Sequence, residues 1–495
     1  MASSGRTMSA LAGLVRGTLF GDGDTLITDV THDSHSVRPG SLFVAVRGER
    51  VDGHGFIPRA VEAGAAGLCV DHQIAVEVPQ VVVDDTRGVM GEMAAAVHGH
   101  PSADMDVIGV TGTNGKTTVT HFIDSIAGGA GRLTGLVGTI RTVSAGSSSP
   151  ATLTTPEAPD FQRLLADMRD EGVDLVSAEV SSHALELGRV RGTRFAAAAF
   201  TNLSQDHLDF HGDMDSYREA KSRLFTDYEI GTAVFNIDDP TGAELAAGHR
   251  GDVITVGRHG DISVHAIETH PSFSTFSLGY PLGEVDVKAP VIGEFNVSNL
   301  VLAAACCVAV GIDYDSVIDA MSRVSGVPGR FEVVSGDDPI TVIVDYAHTP
   351  EGVATAVETA RRMTRGQVIA MIGAGGDRDR AKRPAMGSAV SKADLAVITS
   401  DNPRSEDPAE IAKAVLSGVE GSAGDILDLD RRSAIDRAIG AAGDGDVVLI
   451  LGRGHEPMQD LGSIKVPFDD REVAAESLRR RRSAESGAES GSMSP

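Results

Sequence analysis

The 495-residue sequence predicts an α/β protein of three domains. The chain is too long for a single hydrophobic core, and at about 150 residues per domain its length corresponds to three domains. Apolar runs alternate with helical stretches along most of the chain, which is typical of parallel sheets covered by helices on both faces. The stretches "HGHPSADM" and "GVPGRFE" look like linkers. We therefore expect domains at 1–102, 103–328 and 329–480, with a disordered tail at 481–495.

The composition narrows the classes of function. The formal charge of −27 argues against general nucleic-acid binding, which needs basic patches. No apolar run reaches about 18 residues, so we expect no membrane span, and the N-terminus lacks the pattern of a signal peptide. The cysteines Cys69, Cys306 and Cys307 form no CxxC pair, so disulfides and thiolate zinc sites are not expected. A reducing cytoplasm is the natural compartment.

The first and third regions contain different mixtures of elements. Residues 1–102 combine short strands such as "SLFVAV" and "AGLCVD" with an Ala-rich helix at "PRAVEAGAA". In region 329–478 the apolar strands "TVIVDY", "QVIAMIG", "LAVITS" and "DVVLIL" are followed by the polar turns "AHTP", "AGGDRD", "DNPR" and "GRGHE". Ligands of open parallel sheets bind beyond the carboxyl ends of the strands, so these turns predict a ligand face. The run Arg479–Arg482 reads as a frayed helix end before the tail.

A glycine-rich segment in the second region predicts a phosphate-binding loop. "GVTGTNGKTT" (109–118) joins the apolar run "MDVIGV" to the helical pattern "TTVTHFIDSI". Gly112 and Gly115 permit close approach of the backbone to phosphates, and Lys116 supplies positive charge. The hydroxyl of Thr117 is placed to bind Mg²⁺. Val110 stands where the commonest form of this loop has glycine, so the loop belongs to a variant class.

Several further motifs occur in order along most of the chain. They are "DSHSVRPGSLFVAVRGERVDGHGFI", "TTPEA", "EVSSHALELGRV", "TNLSQDHLDFHG", "YREAKSRLF", "GEFNVSNLVLAA", "GVPGRFE", "VDYAHTPE", "GAGGDRDRAKRPAMG", "DNPRSEDP" and "GRGHE". With the phosphate loop, this set resembles the Mur ligases, the ATP-dependent amide-forming enzymes of peptidoglycan precursor synthesis. The resemblance implies a P-loop ATPase-like central domain and a Rossmann-like C-terminal domain, with the three domains binding UDP-sugar, ATP and amino acid respectively.

The resemblance is strongest to members that extend UDP-N-acetylmuramoyl-L-alanyl-D-glutamate by a third residue, a step of cell-wall biogenesis that serves cell shape and cell division. A carboxylate has no leaving group, so joining it to an amine requires activation. Transfer of the ATP γ-phosphoryl group gives an acyl phosphate that the amine attacks. Catalysis then depends mainly on positioning and on neutralising phosphoryl charge. We expect a cytoplasmic monomer that binds neither nucleic acid nor membranes.

The resemblance also assigns residues for catalysis and for the metal. Lys116, Glu179, His207 and Lys221 match catalytic positions, and Mg²⁺ would be held by Thr117, Glu179, His207 and a carbamate on Lys221. In the family this lysine of A-K-x-x-L-[FY] is carbamylated. On sequence alone, His207 reads as a structural turn residue and Lys221 as a solvated lysine on an amphipathic helix, and it is the resemblance that favours the metal-binding roles.

The remaining matched positions concern the nucleotides. ATP would be bound by Gly112, Thr113, Asn114, Gly115, Lys116, Thr117, Thr118, Asn296, Asn299, Arg330 and Asp345. The UDP-muramoyl dipeptide would be bound by Ser34, Thr154, Thr155, Ser181 and Arg189, whose hydroxyl and guanidinium donors suit diphosphate and carboxylate oxygens. One position departs from the family, because His35 stands where its D-S-R segment has arginine.

The turn "DNPR" predicts which amino acid is added. Family members that add meso-diaminopimelate have arginine here, and lysine-adding members generally lack it. A guanidinium matches the distal carboxylate of diaminopimelate, whereas lysine ends in an ammonium. Asn402 could bond the same head group, Glu456 its ammonium, and Gly452 would allow close backbone approach. The predicted diaminopimelate site comprises Arg378, Asp401, Asn402, Pro403, Arg404, Gly452 and Glu456.

Three alternatives stay open at this point. A folylpolyglutamate synthase shares the loop but should lack "DNPR" with "GRGHE" and the N-terminal "PGSLFVAVRG". A lysine-adding ligase would use the same scaffold. An inactive paralogue serving as a binding or scaffolding protein predicts loss of Lys116, Glu179, His207 or Lys221, and all four are present.

Overall fold

The computed structural model describes residues 5–48, 51–336, 338–420 and 426–491. The chain divides into two compact units. Unit 1 comprises Met1–Asn202, Arg218–Ile262 and Leu302–Ala320. Unit 2 comprises Leu203–Tyr217, Ser263–Val301 and Met321–Pro495. The predicted α/β class is confirmed, whereas the domain limits at 102 and 328 stay predictions.

The N-terminal part of unit 1 is a small α/β layer structure. Its five-stranded sheet has the order β2-β7-β6-β5-β4, parallel except for β2, and β1 pairs with β3. Apolar side chains of the sheet and of the first and third helices form its core. The elements are β1 (Arg6–Thr7), α1 (Met8–Leu14), β2 (Thr18–Phe20), β3 (Leu26–Ile27), β4 (Asp29–Thr31), β5 (Ser41–Val44), α2 (Ile57–Glu62), β6 (Gly67–Val70), β7 (Gln80–Val82) and α3 (Thr86–Val97).

The next stretch forms a larger sheet in unit 1, with strand order β11-β10-β9-β12-β8-β13-β14-β15. Strands β8, β9 and β12 to β15 are parallel, and β10 and β11 form an antiparallel hairpin. The strands are β8 (Asp106–Thr111), β9 (Thr134–Val137), β10 (Arg141–Ser144), β11 (Ser147–Pro150), β12 (Leu175–Glu179), β13 (Phe195–Phe200), β14 (Ile230–Asn236) and β15 (Asp252–Gly257). The helices are α4 (Lys116–Gly129), α5 (Ala158–Asp170), α6 (Ser182–Glu186), α7 (Leu208–His211), α8 (Met214–Thr226) and α9 (Pro240–Gly248).

An antiparallel meander and two helices follow. The meander pairs β16 with β17 and β17 with β18, with a register shift between His265 and Glu268. Strand–helix alternation does not continue here, which the sequence pattern had not indicated. The elements are β16 (Ile262–Thr269), β17 (Ser274–Tyr280), β18 (Gly283–Ala289), α10 (Glu294–Ala309) and α11 (Tyr314–Met321).

The C-terminal part of unit 2 is a six-stranded sheet of order β19-β20-β24-β21-β22-β23, parallel except for β19. Alternate residues of its central strands enter two separate apolar cores, for example Ile343 and Val344, which is why helices cover both faces. The elements are β19 (Glu332–Val333), β20 (Thr341–Asp345), α12 (Pro350–Met363), β21 (Val368–Ile372), α13 (Lys382–Val390), β22 (Leu395–Ile398), α14 (Pro408–Leu416), β23 (Ile426–Leu427), α15 (Arg431–Ala441), β24 (Val447–Leu451), β25 (Met458–Asp460), β26 (Lys465–Pro467) and α16 (Asp470–Gly491).

Helix α16 continues past residue 480, where we expected a disordered tail to begin. The arginine run anchors it: Arg480 Nη2 lies 2.5 Å from Asp436 Oδ1. Arg481 Nη1 donates to the carbonyls of Ile439 and Ala442 at 2.9 and 2.6 Å, which adds a side-chain donor to acceptors at the end of α15. Residues 492–495 of the expected tail lie outside the described residues.

Two expectations from composition can be compared with the fold. Cys69, Cys306 and Cys307 are buried free thiols, as expected, and burial raises the pKa of Cys69 and of Cys307 to about 12. Within the described ranges, no helix combines the length and the apolar character that crossing a bilayer requires.

Candidate active site

The predicted phosphate loop connects the end of β8 to the start of α4 in unit 1. Gly112 has φ +141°, and a Cβ there would lie 1.8 Å from Thr201 Oγ1. Gly115, at the N-terminus of α4, has φ +90°. Both positions therefore require glycine. Lys116 Nζ donates to the carbonyls of Gly112 and Thr113 at 3.0 and 2.8 Å, so the ammonium curls back over the loop.

A second strand end fixes this loop. The backbone N–H of Thr113 donates to Asn202 O at 2.8 Å, and that of Asn114 donates to Asn202 Oδ1 at 2.9 Å. Thr201 Oγ1 donates to Asn114 O at 2.6 Å. Sequence reasoning assigned no role to Thr201 or Asn202, although both stand in the motif "TNLSQDHLDF". Both residues follow β13, which pairs with β8, so they lie next to the loop that follows β8.

Glu179 ends the strand on the other side of β8 and is fully buried. Its carboxylate accepts hydrogen bonds from Thr117 Oγ1 at 2.9 Å, from Thr139 N at 2.7 Å and from Thr139 Oγ1 at 3.1 Å. A Cβ on Gly138 would lie 2.5 Å from Glu179 Oε1, so glycine leaves room for the carboxylate. These three donors are neutral groups. Thr139 is a site residue that sequence reasoning missed.

Lys221 lies in α8 and is 1% exposed. Its Nζ donates to the carbonyl of Gly112 at 2.6 Å. The solvated-lysine interpretation is therefore wrong. Leu224 and Phe225 of the same helix are buried as well. The structure thus brings Lys116, Lys221, Thr117 and Glu179 to one end of the central sheet.

The residues matched to the UDP-muramoyl group adjoin this site, with one exception. Thr155 Oγ1 donates to Glu179 O at 2.8 Å and accepts from Ser181 N at 3.2 Å. Arg189 Nη1 donates to Thr155 O at 3.3 Å, and its Nε lies 2.9 Å from Glu157 Oε1. Thr154 Oγ1 lies 3.1 Å from Thr139 Oγ1. Thr154, Thr155, Ser181 and Arg189 are therefore one hydrogen-bonded group around the end of β12.

Ser34 is the exception, since it lies in the turn after β4 and shares none of these contacts. In this turn Asp33 Oδ1 accepts from His35 N at 2.9 Å and lies 3.1 Å from His35 Nδ1. The His35 side chain is 65% exposed. The His35 side chain is therefore held against Asp33 within its own turn.

His207 belongs to unit 2, where it precedes α7 with φ +53°. Its Nε2 lies 3.5 Å from Asp206 Oδ2. Asp206 is buried and is also approached by Lys382 Nζ at 3.1 Å and His348 Nε2 at 3.4 Å. Sequence reasoning missed Asp206, Lys382 and His348. Lys382, His207 and His348 all stand in motifs named above, but no local pattern in the sequence showed that these motifs come together.

The other residues matched to ATP lie in unit 2 as well. Asn296 is buried and its Nδ2 donates to Ile292 O at 3.0 Å, whereas its buried Oδ1 accepts no hydrogen bond from the described residues. Asp345 accepts from the backbone N–H of Phe331 at 2.6 Å and of Ala347 at 2.8 Å. Burial raises the pKa of Asp345 in spite of the nearby charge of Arg330. Arg330 stacks over the Tyr346 ring at 4.3 Å, and Asn299 is half-buried in α10.

The predicted ligand face of the third region has the expected arrangement. Strands β20, β24, β21 and β22 are parallel neighbours, so their polar turns follow the same edge of the sheet. The side chain of Asn402 links two of these turns, since its Nδ2 donates to Glu456 Oε2 at 2.6 Å. Its Oδ1 accepts from Asp460 N at 2.8 Å. A Cβ on Gly452 would lie 2.7 Å from Asp401 Oδ2, so Gly452 faces Asp401 closely.

The two predicted arginines meet over a third turn. Arg404, at φ +51°, donates from Nη1 to Gly376 O at 2.6 Å. A Cβ on Gly375 would lie 3.0 Å from Arg404 Nη1 and 3.8 Å from Arg378 Cγ. Gly376 must also be glycine, because a Cβ there would lie 1.9 Å from the carbonyl oxygen of Pro403. The predicted residues on "AGGDRD" and "DNPR" are therefore adjacent.

Buried charged residues lie close to Glu456. Burial and the charge of Asp401 raise the pKa of Glu456, and the Asn402 hydrogen bond and the arginines oppose them. Arg453, fully buried, donates to the carbonyls of Met458 and Phe468 at 2.8 and 3.0 Å, and its Nε lies 3.8 Å from Glu456 Oε2. Acidic Glu456 beside basic Arg404 suits a zwitterionic head group.

The chain is similar to known protein families along most of its length. Three family descriptions match successive parts of the chain. They are "Mur ligase family, catalytic domain" over residues 26–98, "Mur ligase middle domain" over 110–307 and "Mur ligase, glutamate ligase domain" over 329–454.

Individual relatives give the same result. A UDP-N-acetylmuramoyl-L-alanyl-D-glutamate--2,6-diaminopimelate ligase of Geobacillus thermodenitrificans is 46% identical over 473 residues, covering 93% of this chain and 96% of the relative. The ligase of the same name from Gloeobacter violaceus is 45% identical, with coverages of 93% and 95%. A solved structure of such a ligase has TM-score 0.70 and 30% identity, covering 97% and 99% of the two chains. The chain therefore belongs to the Mur ligase family of ATP-dependent ligases.

Proposed function

We propose that this ligase adds meso-diaminopimelate to UDP-N-acetylmuramoyl-L-alanyl-D-glutamate with consumption of ATP. The observation that carries the proposal is the joining of "DNPR" to "GRGHE" by the 2.6 Å hydrogen bond from Asn402 to Glu456. The same turn bears Arg404, whose guanidinium lies over Gly375 and Gly376. The two turns together would thus present an anion, Glu456, and a cation, Arg404, to the distal head of the incoming amino acid.

The phosphate loop would activate the substrate carboxylate. A carboxylate oxygen attacks the γ-phosphorus of ATP, the P–O bond to ADP breaks, and an acyl phosphate forms. The free amine of diaminopimelate then attacks the acyl carbon, phosphate leaves, and the amine loses a proton. Lys116 and the N-terminus of α4 would bind the phosphoryl oxygens, since the loop presents N–H groups and an ammonium there. Thr118, the third residue of α4, would be a further ATP contact.

The residues around Glu179 fit a magnesium ion. A buried carboxylate with three neutral donors favours a cation, and Thr117 Oγ1 is within 2.9 Å of it. We propose Thr117 and Glu179 as ligands, together with His207 and a carbamate on Lys221, as the family resemblance implies. When bound, Mg²⁺ supplies neutralisation of phosphoryl charge. CO₂ would carbamylate Lys221 at its buried Nζ, the atom that donates a hydrogen bond to the Gly112 carbonyl.

The nucleotide contacts follow the same reasoning. The buried Oδ1 of Asn296 is an acceptor that an amino group of adenine would satisfy. Asn299, Arg330 and Asp345 would be the further ATP contacts. Thr154, Thr155, Ser181 and Arg189 would bind the UDP-muramoyl dipeptide at the end of β12, and Ser34 would contact it from the N-terminal sheet. We propose a cytoplasmic monomer, in keeping with the three free thiols.

The test is turnover of purified protein with Mg²⁺, bicarbonate and the UDP-muramoyl dipeptide. ADP release and product mass are measured with meso-diaminopimelate, with L-lysine and with neither. Release that depends on diaminopimelate, with a product heavier by that residue, is the expected result. Preference for lysine would overturn the assignment of Arg404 and leave the ligase chemistry intact. Absence of turnover with both would favour the inactive paralogue.

A further inference from the structure

A cluster of histidine and aspartate side chains lies in the N-terminal part of unit 1 and has no part in the proposed reaction. The rings of His54 and His72 stack with centroids 4.9 Å apart and an interplanar angle of 25°. Asp71 Oδ1 lies 3.1 Å from His54 Nε2 and also contacts His72 Nδ1. One ligand atom from each of the three residues lies within 4.8 Å of the others.

Asp52 fixes the orientation of His54 from the opposite side. Asp52 Oδ1 accepts from the backbone N–H of His54 at 3.0 Å and lies 2.7 Å from Nδ1 of its ring. Asp52 therefore holds the Nδ1 edge of the ring, and Nε2 is the nitrogen on the side of Asp71.

Nε2 of His54 lies beside a second carboxylate. It is buried and has no hydrogen-bond partner of good geometry among the described residues, although Asp71 Oδ1 lies 3.1 Å away. His72 contacts the same oxygen through Nδ1. Two imidazole nitrogens are therefore placed at one carboxylate oxygen, and one of them is a buried polar atom that a bound ligand would satisfy.

We propose that His54, Asp71 and His72 bind a divalent cation of the zinc class, through His54 Nε2, His72 Nδ1 and Asp71 Oδ1. Two imidazoles and one carboxylate are ligands that zinc accepts, with water completing a tetrahedron. Asp52 would be the orienting carboxylate behind His54, an arrangement common at zinc-bound histidines. The Asp52 and His54 pair precedes α2, and Asp71 and His72 follow β6, so the cation would link these two segments.

The surroundings of the cluster set its expected strength. Ligand atoms at zinc bond lengths of about 2.0–2.2 Å are roughly 3.3–3.6 Å apart, so His54 and Asp71 need little adjustment. The His72 side chain is 56% exposed and can withdraw from Asp71 to make room. Arg47 Nε lies 2.5 Å from Asp71 Oδ2, and its Nη2 donates to Oδ1 at 3.4 Å, so the guanidinium shares that oxygen with the histidines. Because its charge opposes that of the cation, we expect weaker binding than in a structural zinc site.

The experiment is a Co²⁺ titration of the full-length protein after chelator treatment, in excess Mg²⁺ to occupy the phosphoryl site. Visible absorption reports coordination by nitrogen, and Zn²⁺ is then added to displace Co²⁺. His72→Gln removes one ligand at an exposed position where folding is not at risk. His54→Gln removes the oriented one. His265→Gln, at an exposed position of β16, is the matched control.

We expect one more bound equivalent in wild type and in His265→Gln than in either cluster variant, and a zinc-dependent rise in the Tm of those two proteins alone. Equal binding by wild type and His72→Gln would overturn the proposal. So would imidazole NMR signals of His54 and His72 that Zn²⁺ leaves unchanged. Neither readout depends on ligase activity.

Discussion

Nζ of Lys382 lies 3.1 Å from Oδ1 of Asp206, although 176 positions separate the two residues. Their side chains are 9% and 7% exposed, and His348 Nε2 lies 3.4 Å from the other carboxylate oxygen. Burial raises the pKa of Asp206, but the hydrogen bond from His348 and the charges of His348, Lys382 and His207 outweigh it and hold that pKa far below its usual range. An ionised Asp206 therefore fixes the segment that bears His207 within unit 2.

Replacing Lys382 by methionine should destabilise the protein strongly. The change removes one partner of a buried ion pair and leaves Asp206 with less compensation, which costs about 3–5 kcal/mol in such pairs. Lys392→Met is the control, because its 3.4 Å pair with Glu358 is exposed and should contribute about 0–1 kcal/mol. Urea unfolding at pH 7 measures both. Equal midpoints for the two variants would show that the Asp206 pair has no special weight.

Arg404→Met should relax the choice of amino acid. If Arg404 pairs with the distal carboxylate of diaminopimelate as proposed, removing the guanidinium leaves that carboxylate unpaired, at a cost of about 2–5 kcal/mol, or roughly 30- to 5,000-fold in kcat/KM. Turnover with lysine should change much less, because lysine has no carboxylate there. Arg432→Met removes an exposed arginine paired with Glu476 and should leave both values unchanged. A parallel fall for both amino acids would mean that Arg404 shapes the turn and does not select the substrate.

The Asp206–Lys382 contact also marks the limit of what the sequence predicted. Periodicity identified the strands of the third region, and strand–turn chemistry placed Asn402 and Glu456 at one sheet edge, because local patterns determine both. The contact of Lys382 with Asp206 joins two distant motifs, and no local pattern encodes such a pairing. Thr139 was missed for a related reason. One of its two hydrogen bonds to Glu179 comes from its backbone N–H, which the residue type does not reveal.

The stability contributed by Glu406 should depend on pH in a defined window. Arg383 holds its carboxylate bidentately at 2.8 and 3.1 Å, and this hydrogen bonding lowers the pKa of Glu406 from 4.5 to about 2. A lowered pKa means that the contribution is complete above about pH 4.5 and is lost as the pH falls towards 2. The shift corresponds to at most about 3 kcal/mol, and screening by solvent reduces the expected contribution to about 1–2 kcal/mol.

Glu406→Gln therefore lowers the free energy of unfolding by that amount at pH 7, and the difference from wild type should narrow between pH 4.5 and the lowest pH at which both fold. Glu410→Gln is the control, because its carboxylate is exposed beside Lys413. Denaturant melts at several pH values measure the difference. A difference independent of pH would contradict the ion-pair explanation and indicate a packing defect.

Lys221 provides the last prediction, which concerns the carbamate. Its amine is 1% exposed and bonded to the carbonyl of Gly112, where a carbamate would place an anion within the phosphate loop. Activity should fall when CO₂ and bicarbonate are removed and return when they are added. Lys221→Arg, which keeps the charge but forms no carbamate, should lose activity about 10²-fold or more. With ¹³C-bicarbonate, wild type should show a carbamate signal in NMR that Lys221→Arg lacks, whereas Lys413→Arg should keep it. Full activity without CO₂, or a signal that persists in Lys221→Arg, would assign the role of Lys221 to its ammonium.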